Sequence, residues 1–168
     1  MFLLRLSEAE EPIELAFQPR YGHVVAYEWF GDGYILLAFS AGFLVAVSTH
    51  PREIGHELYQ LQPHPAGIAH LAVSEDAAAT AGTDGHLKLH SMSAETRQVL
   101  SVAGVTQVAW SADGQLLSAA CSAGICVYLA RLPSVAAADA TRAALLTSLS
   151  EVSVTEPNFQ VCTSCTVN

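Results

Sequence analysis

Hydrophobic and polar positions along this chain fall into a unit that recurs three times. The segment VVAYEWFGDGYILLAFSAGFLVAVS starts at Val24, GIAHLAVSEDAAATAGTDGHLKLHS at Gly67 and VTQVAWSADGQLLSAACSAGICVYL at Val105. Each reads as an apolar run, an acidic turn, a second apolar run of small residues, a glycine turn and a third run. Trp29, Val73 and Trp110 occupy equivalent positions, spaced 44 and 37 residues apart. Asp32, Asp76 and Asp113 each follow three residues later, and Gly42, Gly85 and Gly124 mark the next turn at spacings of 43 and 39.

A period near 40 residues with three or four short strands per unit is the pattern of WD-type propeller blades. The expected fold class is therefore all-β: a partial WD-repeat β-propeller of about three blades plus a blade remnant. The rival reading rests on 33–49, a run of seventeen uncharged residues, at the bottom of the length range for a membrane-spanning helix. Equivalent positions in the other units carry Asp84, His86 and Lys88, or the polar run 118–122. GDG and SAG also supply turn residues that tolerate positive φ where a strand must reverse. Short strands are expected, with no direct membrane span. YILLAFS, apolar throughout, then fits a strand covered on both faces.

The coarse map follows from the repeat. Residues 1–18, with MFLLRL and PIELAFQ, read as the last two strands of a preceding blade. Blades are expected at 24–62, with HELYQLQ as outer strand, and at 67–102, with RQVLSV as outer strand. QPHPAG lies between them as a proline-punctuated linker. A third blade is expected at 105–154: an extended connection, 131–144, with helical propensity from its alanines, leads to an outer strand LLTSLSEVSV. Residues 155–168 carry no repeat logic and read as an irregular tail. Propellers need four to eight blades to close, and an open array exposes apolar faces and strand edges, so the chain reads as a piece of a larger propeller.

Composition narrows the function. Over 168 residues the chain is 51% hydrophobic and 14% charged, with a mean hydropathy of +0.34, far from the profile of a disordered protein. Seven Lys and Arg against sixteen Asp and Glu give a formal charge of -9; with no basic cluster, nucleic acid is not expected as a partner. Four cysteines make no dense disulfide framework, and MFLLRLSEAEE has too few apolar residues for a secretory signal. A cytosolic chain with reduced thiols is expected.

No catalytic, cofactor-binding or metal-binding residue is assigned, and no cofactor. Cys162 and Cys165 have C-x-x-C spacing, but zinc needs two more ligands; Cys121 and Cys126 read as small core residues, although a small metal or thiol protein is the rival class. The seven histidines are scattered. His86 and His90 share a strand face but stand too far apart, at about 3.3 Å per residue, to share a metal. His70 and His86 read as structural or exposed. Asp32, Asp76 and Asp113 recur once per blade, which suits turn residues bonding their own backbone rather than paired catalytic carboxylates. There is no G-x-S-x-G elbow or phosphate loop, and Lys88 is the single lysine. Trp29 and Trp110 are the residues an interface would use, yet their equivalence argues for packing between blades.

Specific strings carry a resemblance. YEWFGDG, FSAGF followed by VAVSTH, and RLP with TRAALLTSLSEVSV resemble the first propeller of the large subunit of intraflagellar transport complex A that has two WD propellers and a tetratricopeptide-type helical tail. The likeness covers roughly 2–154 and is weakest in the second blade. That family continues on both sides of such a segment. The resemblance implies a non-enzymatic scaffold of retrograde ciliary transport, cilium assembly and ciliary entry of membrane receptors. The implied partners are the other complex A subunits, with cargo adaptors and receptor cargo; the implied location is the cytoplasm, the cilium and the ciliary base (basal body), in association with the cytoskeleton. A WD-repeat adaptor or coat-type scaffold unrelated to cilia is the alternative.

Overall fold

The computed structural model describes residues 1–3, 13–131, 136–138, 142–148, 151–156 and 159–166. Strands β1 (Phe2–Leu3) and β2 (Ile13–Glu14) form a short antiparallel pair, and a 3-10 turn covers Pro19–Tyr21. β3 (Val24–Phe30), β4 (Tyr34–Phe39), β5 (Leu44–Ser48) and β6 (Glu57–Leu61) make a four-stranded antiparallel meander, blade one. β7 (Ile68–Val73), β8 (Ala77–Gly82), β9 (His86–Ser91) and β10 (Thr96–Ser101) repeat it as blade two. β11 (Gln107–Trp110), β12 (Leu116–Cys121) and β13 (Gly124–Leu129) form a three-stranded blade three. The uncharged stretch 33–49 is thus divided between β4 and β5, and no helix is long and apolar enough to cross a membrane among the described residues.

The blades stack face to face, and the two-residue periodicity of a strand shows how. Ile35, Leu37 and Phe39 point to one side of β4 and pack with Leu15 and Tyr21. Leu36 and Ala38 point to the other side and meet Ile68, Leu71 and Ala78 of blade two. The opposite face of blade two, with Ala79, Ala81 and Leu87, closes on Val105, Val108 and Leu117 of blade three. β4 is apolar at every position because both of its faces are interfaces.

Alanine-rich β8 is a poor strand by propensity, yet Ala78, Ala79 and Ala81 are fully buried, their small volume suiting two close neighbours.

The array is open among the described residues. Ile125, Val127 and Leu129 stand exposed on the far face of β13, Ile125 by 79%. β13 has one neighbouring strand, whereas its counterparts β5 and β9 are each covered by an outer strand.

Three sequence expectations are corrected here. The segment expected to supply one outer strand to blade three folds on itself: β14 (Ala136–Ala138), β15 (Ala143–Ser148), β16 (Glu151–Glu156) and β17 (Phe159–Thr166) form a separate antiparallel sheet. Ser148 pairs with Glu151, so β15 and β16 are antiparallel neighbours, and pairing strands this close in sequence costs far less entropy than returning to the edge of β13. Ala136, Ala137, Ala138, Ala143 and Ala144 of the connection lie in strands rather than a helix, and part of the tail read as irregular, rich in β-branched residues, pairs as β17. MFLLRL and PIELAFQ lie partly outside the described residues.

Blade one meets the linker into blade two at Gly42, whose φ is +83°. A Cβ added there would sit 1.6 Å from the carbonyl oxygen of His64. Gly85, at the same turn of blade two with φ +78°, has nothing within 4 Å of such a Cβ. Gly85→Ala is expected to cost only the left-handed backbone penalty, about 1–2 kcal/mol, lowering Tm by a few degrees. Gly42→Ala adds a clash against backbone and should lower Tm at least twice as far; equal shifts in thermal melts would show that the linker yields.

Candidate functional site

Two groups of residues stand out, one polar and buried, the other an open groove. The buried group lies on the face of blade two that meets blade one. His64, 0% exposed, is carried by the linker; its Nδ1 lies 3.0 and 3.1 Å from the Asp84 carboxylate oxygens. Its Nε2 is 2.9 Å from the Thr80 hydroxyl, which is 2.7 Å from Nε2 of His90; Nδ1 of His90 is 3.2 Å from the Thr96 hydroxyl.

An ionised Asp84 sets the direction of every bond in this chain. His64 Nδ1–H donates to the carboxylate, so His64 Nε2 accepts from Thr80, whose oxygen accepts from His90 Nε2–H, whose Nδ1 accepts from Thr96. Both imidazoles are neutral in this arrangement. Burial lowers the pKa of His90 to about 4, with help from the neighbouring His64 and Lys88. Burial also lowers His64, partly offset by its bonds to Asp84. Burial would raise Asp84, but the bonds from His64 and from the His86 amide outweigh it and hold the carboxyl below its usual range. The group bridges the linker to strands β8, β9 and β10, with His64, Thr80 and His90 buried. It is a structural clamp, and aligning the glycine turns puts Leu37 and Ala119 where blade two has Thr80.

The groove runs along one end of the three blades, where the first strand of each turns back. Its volume is about 1030 Å³, and its walls include Trp29, Glu28, Asp76, Arg97, Trp110 and Arg131. Arg131 of blade three reaches across to Asp76 of blade two, Nη1 to Oδ2 at 2.6 Å. Glu75 and Asp113 add two further carboxylates to the walls, so four acids face two guanidinium groups. Among the described residues no three His, Cys, Asp or Glu converge as a metal site.

Candidate residues from the sequence separate here. Trp110 packs between blades as expected: it lies against the core between blades two and three, and its indole N–H donates to the Ala72 carbonyl at 3.2 Å. Trp29 does not; it is 56% exposed beside Tyr27 at 57%, because Ile35 and Leu37, its neighbours across β4, meet β2 and the Tyr21 turn below it. Asp113 accepts from Ser111 Oγ at 2.5 Å and from the Gln115 amide two residues on, a closed turn. The Ser111 bond, then the amide bond, hold its carboxyl below the usual range. Asp76 instead pairs with Arg131. His86 is part-exposed, 3.5 Å from Asp84, and His70 has a buried Nδ1 without a partner among the described residues. The side chains of Cys162 and Cys165 lie outside the described residues.

The family described as WDR19 first beta-propeller matches residues 1–124. The chain belongs to that family. It is 38% identical over 164 residues to WD repeat-containing protein 19 of Mus musculus and 37% identical over 167 residues to that of Homo sapiens, covering 92% and 94% of this chain. WD repeat-containing protein dyf-2 of Caenorhabditis elegans is 29% identical over 162 residues, 92% of this chain. The chain spans 12% of the length of each of these relatives. A chain of the crystal structure of the mitotic checkpoint complex superposes with a TM-score of 0.55 at 13% identity, over 87% of this chain and 52% of that one, a likeness of fold alone.

Within this first-propeller family member, the residue missed by sequence reading is His64. The signal available was a histidine between two prolines at a blade junction, with Asp84 and Thr80 at the turn and strand of the next blade. Acid should release the clamp. An unfolded His90 takes up a proton near pH 6.5, the folded one only near 4, so its contribution is present above pH 6.5 and is lost as pH falls toward 4. Asp84, lowered in the fold, acts with the same sign but at still lower pH, below its ordinary range. Stability is expected to drop by about 2–3 kcal/mol across that window, and His90→Gln should flatten the drop in denaturant titrations at stepped pH. Thr80→Val, which leaves two ring nitrogens unpaired, should cost about 2 kcal/mol or more at pH 7; an unchanged midpoint would mean water takes the place of the hydroxyl.

Proposed function

We propose that this chain is a non-enzymatic protein-interaction scaffold. It serves as part of a subunit of intraflagellar transport complex A, in retrograde ciliary transport, cilium assembly and ciliary entry of membrane-protein cargo. The observation that carries this reading is the 37–38% identity to WD repeat-containing protein 19 across nearly the whole chain. Its setting is the cytoplasm, the cilium and the ciliary base, and its partners are the other subunits of that complex, with cargo adaptors and receptor cargo. Blade one corresponds to 24–62, blade two to 67–102, and blade three begins at 105. The exposed face at Ile125 seats a further blade or subunit.

The groove is the contact surface on this segment. Four carboxylates, two guanidinium groups and the rim indole of Trp29 suit an extended, positively charged segment of a partner, with a cation held over the ring. Expressed with an affinity tag in ciliated cells, the chain should recover other subunits of the transport complex, identified by mass spectrometry. Trp29→Ala, at a side chain more than half exposed, should leave Tm within a degree or two and reduce recovery several-fold. Capture of unrelated signalling or coat components in their place would overturn the ciliary reading; undiminished recovery with Trp29→Ala would remove the groove from it.

A further inference from the structure

We propose that Cys121 and Cys126 form a reversible dithiol pair which a hydroperoxide oxidises to a cross-strand disulfide, locking the β12–β13 hairpin. The two thiols are free, each part-exposed, and their sulfurs stand 3.6 Å apart. Across the hairpin Cys121 pairs with Gly124 and Ala119 with Cys126, so the two cysteines are diagonal neighbours on one face. Strand twist brings one diagonal of such a pair together. A disulfide needs about 2.05 Å between sulfurs, which side-chain rotation with a small adjustment of the hairpin supplies.

The hairpin is the part of the blade array best able to make that adjustment. β13 is the edge of a three-stranded sheet, whereas the corresponding β5 and β9 are held on both sides. The turn between the cysteines is also tied to the preceding blade junction: Ser122 Oγ donates to the Ala103 carbonyl at 2.9 Å. A bond between Cys121 and Cys126 would therefore stiffen the edge strand and the turn abutting the linker between blades two and three.

The chemistry balances with one hydroperoxide. A thiolate attacks the peroxide, breaking the O–O bond and leaving a sulfenic acid and a hydroxide or alkoxide. The second thiolate attacks that sulfur, the S–S bond forms, and the S–O bond breaks with loss of hydroxide. The two sulfurs give up two electrons, the peroxide takes both, and the two thiol protons end on water and on the second leaving oxygen. A dithiol reductant reverses the step by exchange.

The test uses the chain carrying Cys162→Ser and Cys165→Ser, so that Cys121 and Cys126 are the only thiols. It is treated with stoichiometric hydrogen peroxide, alkylated and digested. The expected result is a peptide containing both cysteines that is two hydrogens lighter and unalkylated, returning to double alkylation after dithiothreitol. Adding Cys126→Ser should instead leave Cys121 trappable by dimedone as a sulfenic acid. Repeating the oxidation on the natural sequence checks the pairing in the full thiol set. The proposal is overturned if both sites stay fully alkylated after peroxide, if they proceed to sulfinic acid without an internal bond, or if Cys121 or Cys126 in the natural sequence pairs with Cys162 or Cys165.

Discussion

The approach of the Gly42 turn to the His64 carbonyl is the constraint on which the junction between blades one and two depends. A backbone carbonyl can come this near only where no side chain intervenes, and its position delivers the His64 ring into blade two. There Asp84 and Thr80 receive it, so one covalent linker becomes a bridge from the turn of one sheet to strands of the next. Stacked sheets without such a tie are held by non-directional burial alone, which favours contact but does not select among nearby offsets. Directional bonds to a buried imidazole do select.

Apolar packing still supplies most of the stabilising free energy. Each blade is a small sheet that cannot bury both of its faces by itself, and a fully buried Leu or Ile contributes about 1.5–3 kcal/mol. Leu36, Leu37, Leu44, Leu71, Leu87 and Leu117 are distributed over three successive interfaces rather than gathered in one core. Stability in this arrangement grows with each neighbour added. The faces at the two ends of the array carry the exposed Trp29 and Ile125, and the interiors carry alanine and leucine; the same strand pattern is buried or exposed according to whether a neighbour is present.

Polarity is concentrated where it has partners. The groove at the strand ends gathers carboxylates, and the ion pair between Arg131 and Asp76 crosses it, tying blade three to blade two at the surface. Both side chains are more than half exposed, so screening leaves that pair worth little to stability. Its effect is on the shape and charge of the groove. The His64 clamp is the reverse case: His64, Thr80 and His90 are buried, and they give the junction its geometry.

The recurrence of Asp32, Asp76 and Asp113 and of Gly42, Gly85 and Gly124 was sufficient to place the turns, and hence β3 to β5, β7 to β9 and β11 to β13, because turn chemistry and strand alternation are local properties. Even the alanine run of β8, weak in propensity, was legible through that register. The same locality explains the three departures: whether a strand joins a distant edge or its nearest neighbour, as with β15 and β16, is a competition between loop entropy and non-local pairing that no repeat encodes. Whether Trp29 is covered depends on which sheet lies beside it, although it is equivalent by sequence to the buried-side Trp110. His64 takes its role only from groups 16 and 20 residues away. By itself the sequence determined the repeat, the strand faces and the absence of familiar catalytic motifs; only the tertiary structure decided which faces meet, which histidine is the clamp and where the acidic groove opens, because those depend on contacts between segments that composition and spacing do not bring together.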